Sequence, residues 1–532
     1  MARAFALLLL AAIAPCAPAA AIELPPACAK QASFEGTAMP LTELRQQVEK
    51  VGESDPMTAV RILCSTLPRA EREYGADSLE FAWWVQTLAT PLIAYMDEFA
   101  EAIPLLRFVT PIYERRLGPN APEIAEIHVA YGWIAFRQGR LADAGDEWER
   151  ALHIRESVPG ARQIELQKAL VGLAQVRVGQ RRFADARTLL ERAQAILAAN
   201  GETSSEAAGA IENTLTNIAM REEDYPAARR HAEVQLKIEL ALRAQRGPAQ
   251  PVTAYTLYGQ VLEKLDEYAE AESALREAVR LADATDGPLQ RHYRIALTHL
   301  GALLGARGKP QEALPVARRA LDVAVEQLGP DAPNLVNVLL DLAEVERTLG
   351  EMPQAFAHYG RAGQLIAAHG ADVERQVQVR HYRGLGLLQY QLGAYDDARA
   401  SLAAGLKVAG DDPALSVERA GVLLALAHLD ATTEPERARA QIGQALALYA
   451  ARLPAAHPVL LRVVNDLCGI DIRTAPAAAP NCLDAQRRLE AAREVEPGLR
   501  YAVYANASAL AEARGNGGAA WLHAVRALSA AA

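Results

Sequence analysis

Small and large apolar positions recur along this chain at helical spacings, and the whole pattern returns every 42 or so residues. The repeat is clearest when aligned on one alanine: Ala102, Ala144, Ala186, Ala228, Ala271, Ala313, Ala355 and Ala398, in steps of 42, 42, 42, 43, 42, 42 and 43. Twelve residues before the alanine stands a small residue (Gly132, Ala174, Thr216, Gly259, Gly301, Ala343, Gly386). Five before it comes a turn residue, often glycine, as at Gly139, Gly308, Gly350 and Gly393. Three before it is a large apolar residue: Phe99, Leu141, Phe183, Tyr225, Tyr268 or Tyr395. Four and seven after it are a second apolar and a second small residue, such as Trp148 with Ala151, Leu275 with Ala278, and Tyr359 with Ala362. Offsets of three, four and seven place residues on one helical face and exclude strands. Each period is therefore predicted to hold two antiparallel helices whose small residues let the backbones approach. Glycine supplies the positive φ of the turn, and the aromatic fills the gap beside it.

These offsets resemble the tetratricopeptide repeat, most closely the 42-residue form found in kinesin light chains and many bacterial proteins. A connector signature of that form appears as Leu117-Gly118-Pro119-Asn120-Ala121-Pro122 and again as Leu328-Gly329-Pro330-Asp331-Ala332-Pro333, with a degenerate copy at Leu453-Pro454-Ala455-Ala456-His457-Pro458. HEAT repeats share a period of about 40 to 47 residues, but the combination of small residue, turn glycine, aromatic and alanine favours the tetratricopeptide reading. A ninth unit aligns at Ala438 and degenerate units at Ala59, Ala485 and Ala520, giving about 12 units of which nine are clear. The fold implied by the resemblance is all-α: a right-handed superhelical solenoid of antiparallel helix pairs, each stabilised by its neighbours.

The N-terminus interrupts this picture. Met1-Ala2-Arg3, the apolar run from Ala4 to Ala14, and Ala17-Pro18-Ala19-Ala20-Ala21 have the zones of a secretory signal, with cleavage expected after Ala21. An uncleaved anchor and a lipidated Cys16 are the alternatives; the apolar run is short of the ~20 residues of a spanning helix, and Pro15 fits a lipidation site poorly. The remainder divides into a leader (22–37), the solenoid (38–470, its first helix beginning near Leu41), a Pro/Ala-rich connector (471–481) and degenerate capping helices (482–532). Four cysteines remain beyond the signal. In an exported chain their grouping favours disulfides Cys28–Cys64 and Cys468–Cys482 over zinc binding, because no CxxC is present. The formal charge is −10, or −11 once Arg3 leaves with the signal (54 basic against 65 acidic residues), which disfavours nucleic acid as a partner.

No motif for catalysis emerges: the sequence has no Gly-rich phosphate loop, HExxH or GxSxG. Gly384 and Gly386 lack a third glycine for dinucleotide binding. His292 and His299 would share a helix face about 10.5 Å apart, too far for one metal. Acidic clusters at Glu222-Glu223-Asp224, Asp396-Asp397 and Asp411-Asp412 read as solvated turns, with weak calcium binding as the rival. Of Trp83 and Trp84, one is expected in the core and the other at a contact surface. No cofactor, metal or enzymatic activity is expected.

In tetratricopeptide arrays the first helix of each unit lines the concave face. Carried onto this chain, that geometry directs Lys168, Gln175, Asn213, Asn217, Thr256, Gln260, His299, Glu344, Arg380 and Arg383 into the groove. The asparagine ladder of kinesin light chains survives only at Asn213 and Asn217, and the carboxylate clamp of chaperone adaptors has no matching set. Arg380 and Arg383 stand beside Asp341 and Glu344, which suits either a peptide of alternating charge or an internal salt-bridge network. The reading is a non-catalytic scaffold of the bacterial periplasm that holds a protein or peptide in its groove. A sensor or regulatory module in signalling is the alternative, and a cell-envelope enzyme stands behind both.

Overall fold

The computed structural model describes residues 23–29, 34, 38–52, 55–94, 96, 98–157, 163–246, 251–283, 290–455, 457–491, 495 and 497–531. The expected signal segment (1–21) and Cys16 lie outside them. Two compact units are present, Met1–Ala296 and Leu297–Ala532. The first holds α1 (Pro26–Ala29), α2 (Leu41–Val51), α3 (Pro56–Tyr74), α4 (Leu79–Ala94), α5 (Phe99–Leu117), α6 (Pro122–Arg137), α7 (Leu141–Ser157), α8 (Leu166–Gly179), α9 (Phe183–Ala199), α10 (Glu206–Arg221), α11 (Tyr225–Arg246), α12 (Pro251–Lys264) and α13 (Tyr268–Asp283). The division between units falls inside α14 (Gln290–Ala306). The second holds α15 (Pro310–Leu328), α16 (Leu335–Leu349), α17 (Met352–His369), α18 (Arg375–Gln391), α19 (Tyr395–Ala409), α20 (Ser416–Asp430), α21 (Pro435–Ala450), α22 (Pro458–Thr474), α23 (Pro480–Ala491), α24 (Pro497–Ala513) and α25 (Gly517–Ala531). The fold is all-α, with helices packed as successive pairs.

The marked alanine explains why the pairs close. From Ala102 to Ala438, each of the nine stands at the fourth position of a second helix, and each is 0% exposed. Its amide completes the first helical turn, as Ala144 N donates to the Arg140 carbonyl at 3.0 Å and Ala398 N to the Ala394 carbonyl at 2.9 Å. The small residue twelve earlier lies directly across from it. A Cβ built on Gly386 would sit 3.2 Å from the Ala398 carbonyl oxygen and 2.7 Å from Leu402 Cγ; one on Gly259 would meet Leu275 Cγ at the same 2.7 Å. At Gly386 and Gly259 only a residue without a side chain permits that approach. The opposing residue is the apolar one four after the alanine, so these two offsets describe one contact.

The turn five residues before the alanine has positive φ in the seven units from Ala144 to Ala398, with glycine in four of them, Gly139, Gly308, Gly350 and Gly393, at φ of 75°, 70°, 82° and 78°. Arg181, Glu223 and Asp266 hold the equivalent places at 60°, 62° and 61°, although they carry side chains. The large apolar residue three before the alanine is half-buried at Phe99, Leu141, Phe183, Tyr225 and Tyr268, whereas Tyr395 is 58% exposed. As the first residue of α19 it faces outward along the turn, beside Tyr390.

Residues before α2 are tied to the array. Cys28 of α1 is joined to Cys64 of α3, with Cα atoms 5.3 Å apart, and the Ala27 amide donates to Glu101 Oε2 at 2.8 Å. In the second unit, Cys468 of α22 is joined to Cys482 of α23. Helix α22 continues to Thr474, leaving the irregular stretch at 475–479, because Asp471 is buried and held by Arg439 at 2.9 Å and by Asn481 at 2.8 Å. Among the described residues no helix is long and apolar enough to cross a membrane.

Candidate functional site

Within each unit the first helices of successive pairs touch one another: α4 with α6, α6 with α8 and α8 with α10, and likewise α16 with α18, α18 with α20 and α22 with α24. Among the described residues, second helices make no comparable contact with the next second helix. Elements drawn together on one side and spread on the other make the first-helix side the inner face of each stack. The residues named from sequence all lie on first helices (α8, α10, α12, α14, α16 and α18), with different degrees of availability.

In the first unit, Lys168 lies 3.4 Å from Glu126, which also receives the buried Arg155. Asn217 Nδ2 donates to the Asn213 carbonyl at 2.9 Å and to Asn213 Oδ1 at 3.1 Å, while Asn213 Nδ2 reaches the buried Gln235 at 3.4 Å. Thr256 is buried and its hydroxyl donates to the Val252 carbonyl at 2.7 Å, so it is occupied inside its own helix. Gln175 and Gln260 are half-buried. Two further pairs had no signal in isolated residues. His128 with Glu147 (2.6 Å) and His231 with Glu212 (2.7 Å) occupy the same two positions of their pairs, sixteen before and three after the alanine, with the residue types exchanged. Only comparison of opposite offsets across repeats could have found them.

The second unit concentrates charge. His299 is half-buried on α14. On α16, Glu344 accepts from Arg347 at 2.5 and 3.0 Å and from the Tyr359 hydroxyl at 3.0 Å. Packing of the surrounding helices pushes its carboxyl up, but the Arg347 bond, the Tyr359 bond and the charge of Arg383 outweigh that and hold it below the usual carboxylate range. Arg380 pairs with Asp341 at 3.1 Å and donates to the Asn337 carbonyl at 3.0 Å. Burial raises the Asp341 carboxyl in spite of Arg380. Arg380 and Glu344 are thus members of an internal network.

Arg383 differs. It is half-buried and makes no hydrogen bond or ion pair among the described residues. With Arg380, Gln376, Val379, Val417 and Glu418 it lines a cavity of about 110 Å³ between α18 and α20. Glu418 accepts from Gln376 at 2.6 Å through one oxygen, and its other oxygen is buried without a partner. Gly421 leaves room for the guanidinium, since a Cβ there would lie 2.6 Å from Arg383 Nη1. Hydrogen-bonding capacity of both signs is therefore left open at one place on the inner face. Among the described residues no group of acidic, histidine and cysteine side chains could hold a metal ion.

The family model for the tetratricopeptide repeat matches residues 250–324 and 293–364. No curated protein matches the chain. Among solved structures, the apo form of the quorum sensor NprR from B. thuringiensis is 13% identical with a TM-score of 0.48, over 69% of this chain and 97% of that one. The apo form of RapI is 10% identical with a TM-score of 0.48, over 76% and 97%. A Rap protein complexed with competence and sporulation factor is 15% identical with a TM-score of 0.46, over 70% and 98%.

Proposed function

We propose that this chain, which belongs to the tetratricopeptide-repeat superfamily, is a non-catalytic scaffold that holds a protein or peptide on the inner, first-helix face. The observation that carries the reading is the open polar cavity of α18 and α20, where Arg383 makes no hydrogen bond or ion pair among the described residues and a Glu418 oxygen is unsatisfied. Buried polar groups left open in this way gain most from a ligand that brings both a donor and an acceptor, and a peptide backbone or a charged side chain does so. Arg380, already held by Asp341, orients α18 toward the ligand, and Arg383 makes the new contact. On the first unit's own inner face, the half-buried Gln175, with Asn213 and Asn217, offers hydrogen-bonding groups of the same kind. We place this activity outside the cytoplasm, in a periplasm, a reading supported by the two disulfides and by the apolar N-terminal sequence.

Affinity capture from periplasmic extract, followed by titration of the captured partner, tests this reading. Arg383→Ala is expected to weaken binding by about tenfold or more, as for loss of a charge-assisted hydrogen bond. Arg487→Ala on α23, where the side chain is 74% exposed, serves as control. Equal losses from both variants would remove the inner face as the working surface.

A further inference from the structure

A second opening lies in the first unit, away from α18 and α20, and the repeat pattern does not account for it. Helix α2 has 11 residues where α4 and α6 have 16 each. It stops before it can cover the length of α4, and a cavity of about 400 Å³ opens among α2, α3 and α4. Its walls are Val48, Ala59, Leu63, Trp83, Thr87 and Ala94. On α4, Trp83, Thr87, Thr90 and Ala94 follow one another at helical spacing, so a whole stripe of one helix faces the opening.

Trp83 is the fixed element of this wall. Whereas Trp84 is 1% exposed in the core, Trp83 is half-buried, with the Arg45 guanidinium 4.3 Å over its ring and Trp84 edge-on at 5.3 Å. Held on two sides, it keeps its orientation without a ligand, and a ligand that packs on it need not order it. The cavity's polar groups are sparse. The Gln86 amide and Thr87 hydroxyl are half-buried and make no hydrogen bond among the described residues. The carboxylate of Glu49 is already engaged by Arg45 at 3.0 Å.

These features select a ligand class. A charged ligand would lose hydration here without gaining a free counter-ion. A purely aliphatic one would leave Gln86 and Thr87 unsatisfied. A flat ring suits the Trp83 surface, and the volume is ample, since an apolar cavity of about 150 Å³ already takes up benzene. We infer that this cavity binds a neutral aromatic ring carrying one hydrogen-bonding group, a phenol or indole. The ring comes either from a free small molecule or from a Tyr or Trp side chain of a polypeptide.

Calorimetric titration of the full chain with p-cresol, with p-toluate, and with a blocked Gly-Gly-Tyr-Gly-Gly peptide tests the inference. Saturable binding of p-cresol is expected, with p-toluate bound at least about tenfold more weakly. Ala94→Leu, which fills the mouth from an exposed position, is expected to reduce binding about tenfold or more, and Thr87→Val about fivefold, with the far-UV spectrum unchanged. Peptide binding tighter than p-cresol assigns the site to a side chain, and p-cresol binding with none by the peptide assigns it to a small molecule. Absence of saturable binding by both neutral probes, equal binding of p-toluate, or full binding by Ala94→Leu would each overturn the inference. None of these readouts depends on Arg383, so the two sites stand or fall separately.

Discussion

Trp148 in the first unit and Tyr359 in the second stand at the same place in their helix pairs, four residues after a fully buried alanine. Each reaches from its own first helix to the next one. Trp148 lies between Gly132 of α6 and Gly172 of α8; a Cβ on Gly132 would fall 2.5 Å from its indole nitrogen. The ring is 0% exposed, packs edge-on against Trp133 at 5.2 Å, and its Nε1 has no hydrogen-bond partner among the described residues. Tyr359 is 1% exposed and lies against Gly384 of α18, yet its hydroxyl donates to Glu344 on the inner face. Burial, with the Glu344 charge beside it, pushes that phenol far above its usual range, so it remains a donor. One slot is filled by packing alone, and the other connects the core to the charged network around α18. The repeat specifies the space and leaves open whether its occupant communicates with the surface.

The largest test of the contrast is Trp148→Ala, expected to cost about 3–5 kcal/mol in urea unfolding because two glycines cannot close over the void. A loss below about 1 kcal/mol would mean that the α6–α8 junction does not depend on it. A second test compares two glycines of equal offset. Gly386→Ala drives a methyl into Leu402 and should cost about 1–3 kcal/mol. Gly301→Ala meets only Ala317, at 3.6–3.7 Å, and should gain about 0.5–1 kcal/mol from helix propensity. Equal effects at the two sites would contradict the one-contact account of the offsets.

Next comes pH. His381 is 4% exposed beside Tyr359, and burial lowers its pKa from an ordinary 6.5 to about 4. Between those values the unfolded chain takes up a proton that the folded chain refuses. The stability is therefore fully present above pH 6.5 and declines as pH falls toward 4, by about 2 kcal/mol between pH 7 and pH 5. His428 opposes this, since its bond to Asp466 raises its pKa and adds stability on the acid side. Chemical denaturation at both pH values should show the His381→Leu variant losing less than wild type; parallel losses would discard the assignment.

Tyr359→Phe, which removes the link but keeps the ring, is expected to cost about 1.5 kcal/mol. It should also raise the Glu344 pKa measured by NMR; an unmoved titration would make the two slots alike. The smallest effect belongs to the turns. Glu223→Gly should stabilise by about 1 kcal/mol or less, relief of positive φ being partly offset by the flexibility of glycine. A destabilisation measured by thermal melting would show that the Glu223 side chain contributes there.

The alanine, the small residue opposite it and the glycine turn were legible because each is demanded by backbone approach or by φ, which a residue type reveals directly. Gly172 was passed over: its role depends on Trp148 from the preceding pair, and a register built within one period does not contain that contact. Arg181, Glu223 and Asp266 adopt the glycine conformation against their own preference, so residue type conceals it. On the inner face, sequence placed Arg380, Arg383 and Glu344 near one another, but could not separate Arg380 and Glu344, which are hydrogen-bonded, from Arg383, which is not, because that depends on the rotamers of Asp341, Asn337 and Arg347. The opening beside Trp83 arises from the shortness of α2, a boundary that periodicity locates only loosely.

Arg181, Glu223 and Asp266 close the turns of three consecutive pairs, α8 with α9, α10 with α11, and α12 with α13. In a stack stabilised mainly by nearest neighbours, a local conformational cost is not shared across the whole fold. Each such turn lowers the free energy needed to part its own two helices and, through them, the pairs on either side. Amide hydrogens of this stretch should therefore exchange with solvent through partial opening at lower energy than those beside Gly139. The first unit would breathe from its second half, with the pairs α4–α5 and α6–α7 retaining their protons longer.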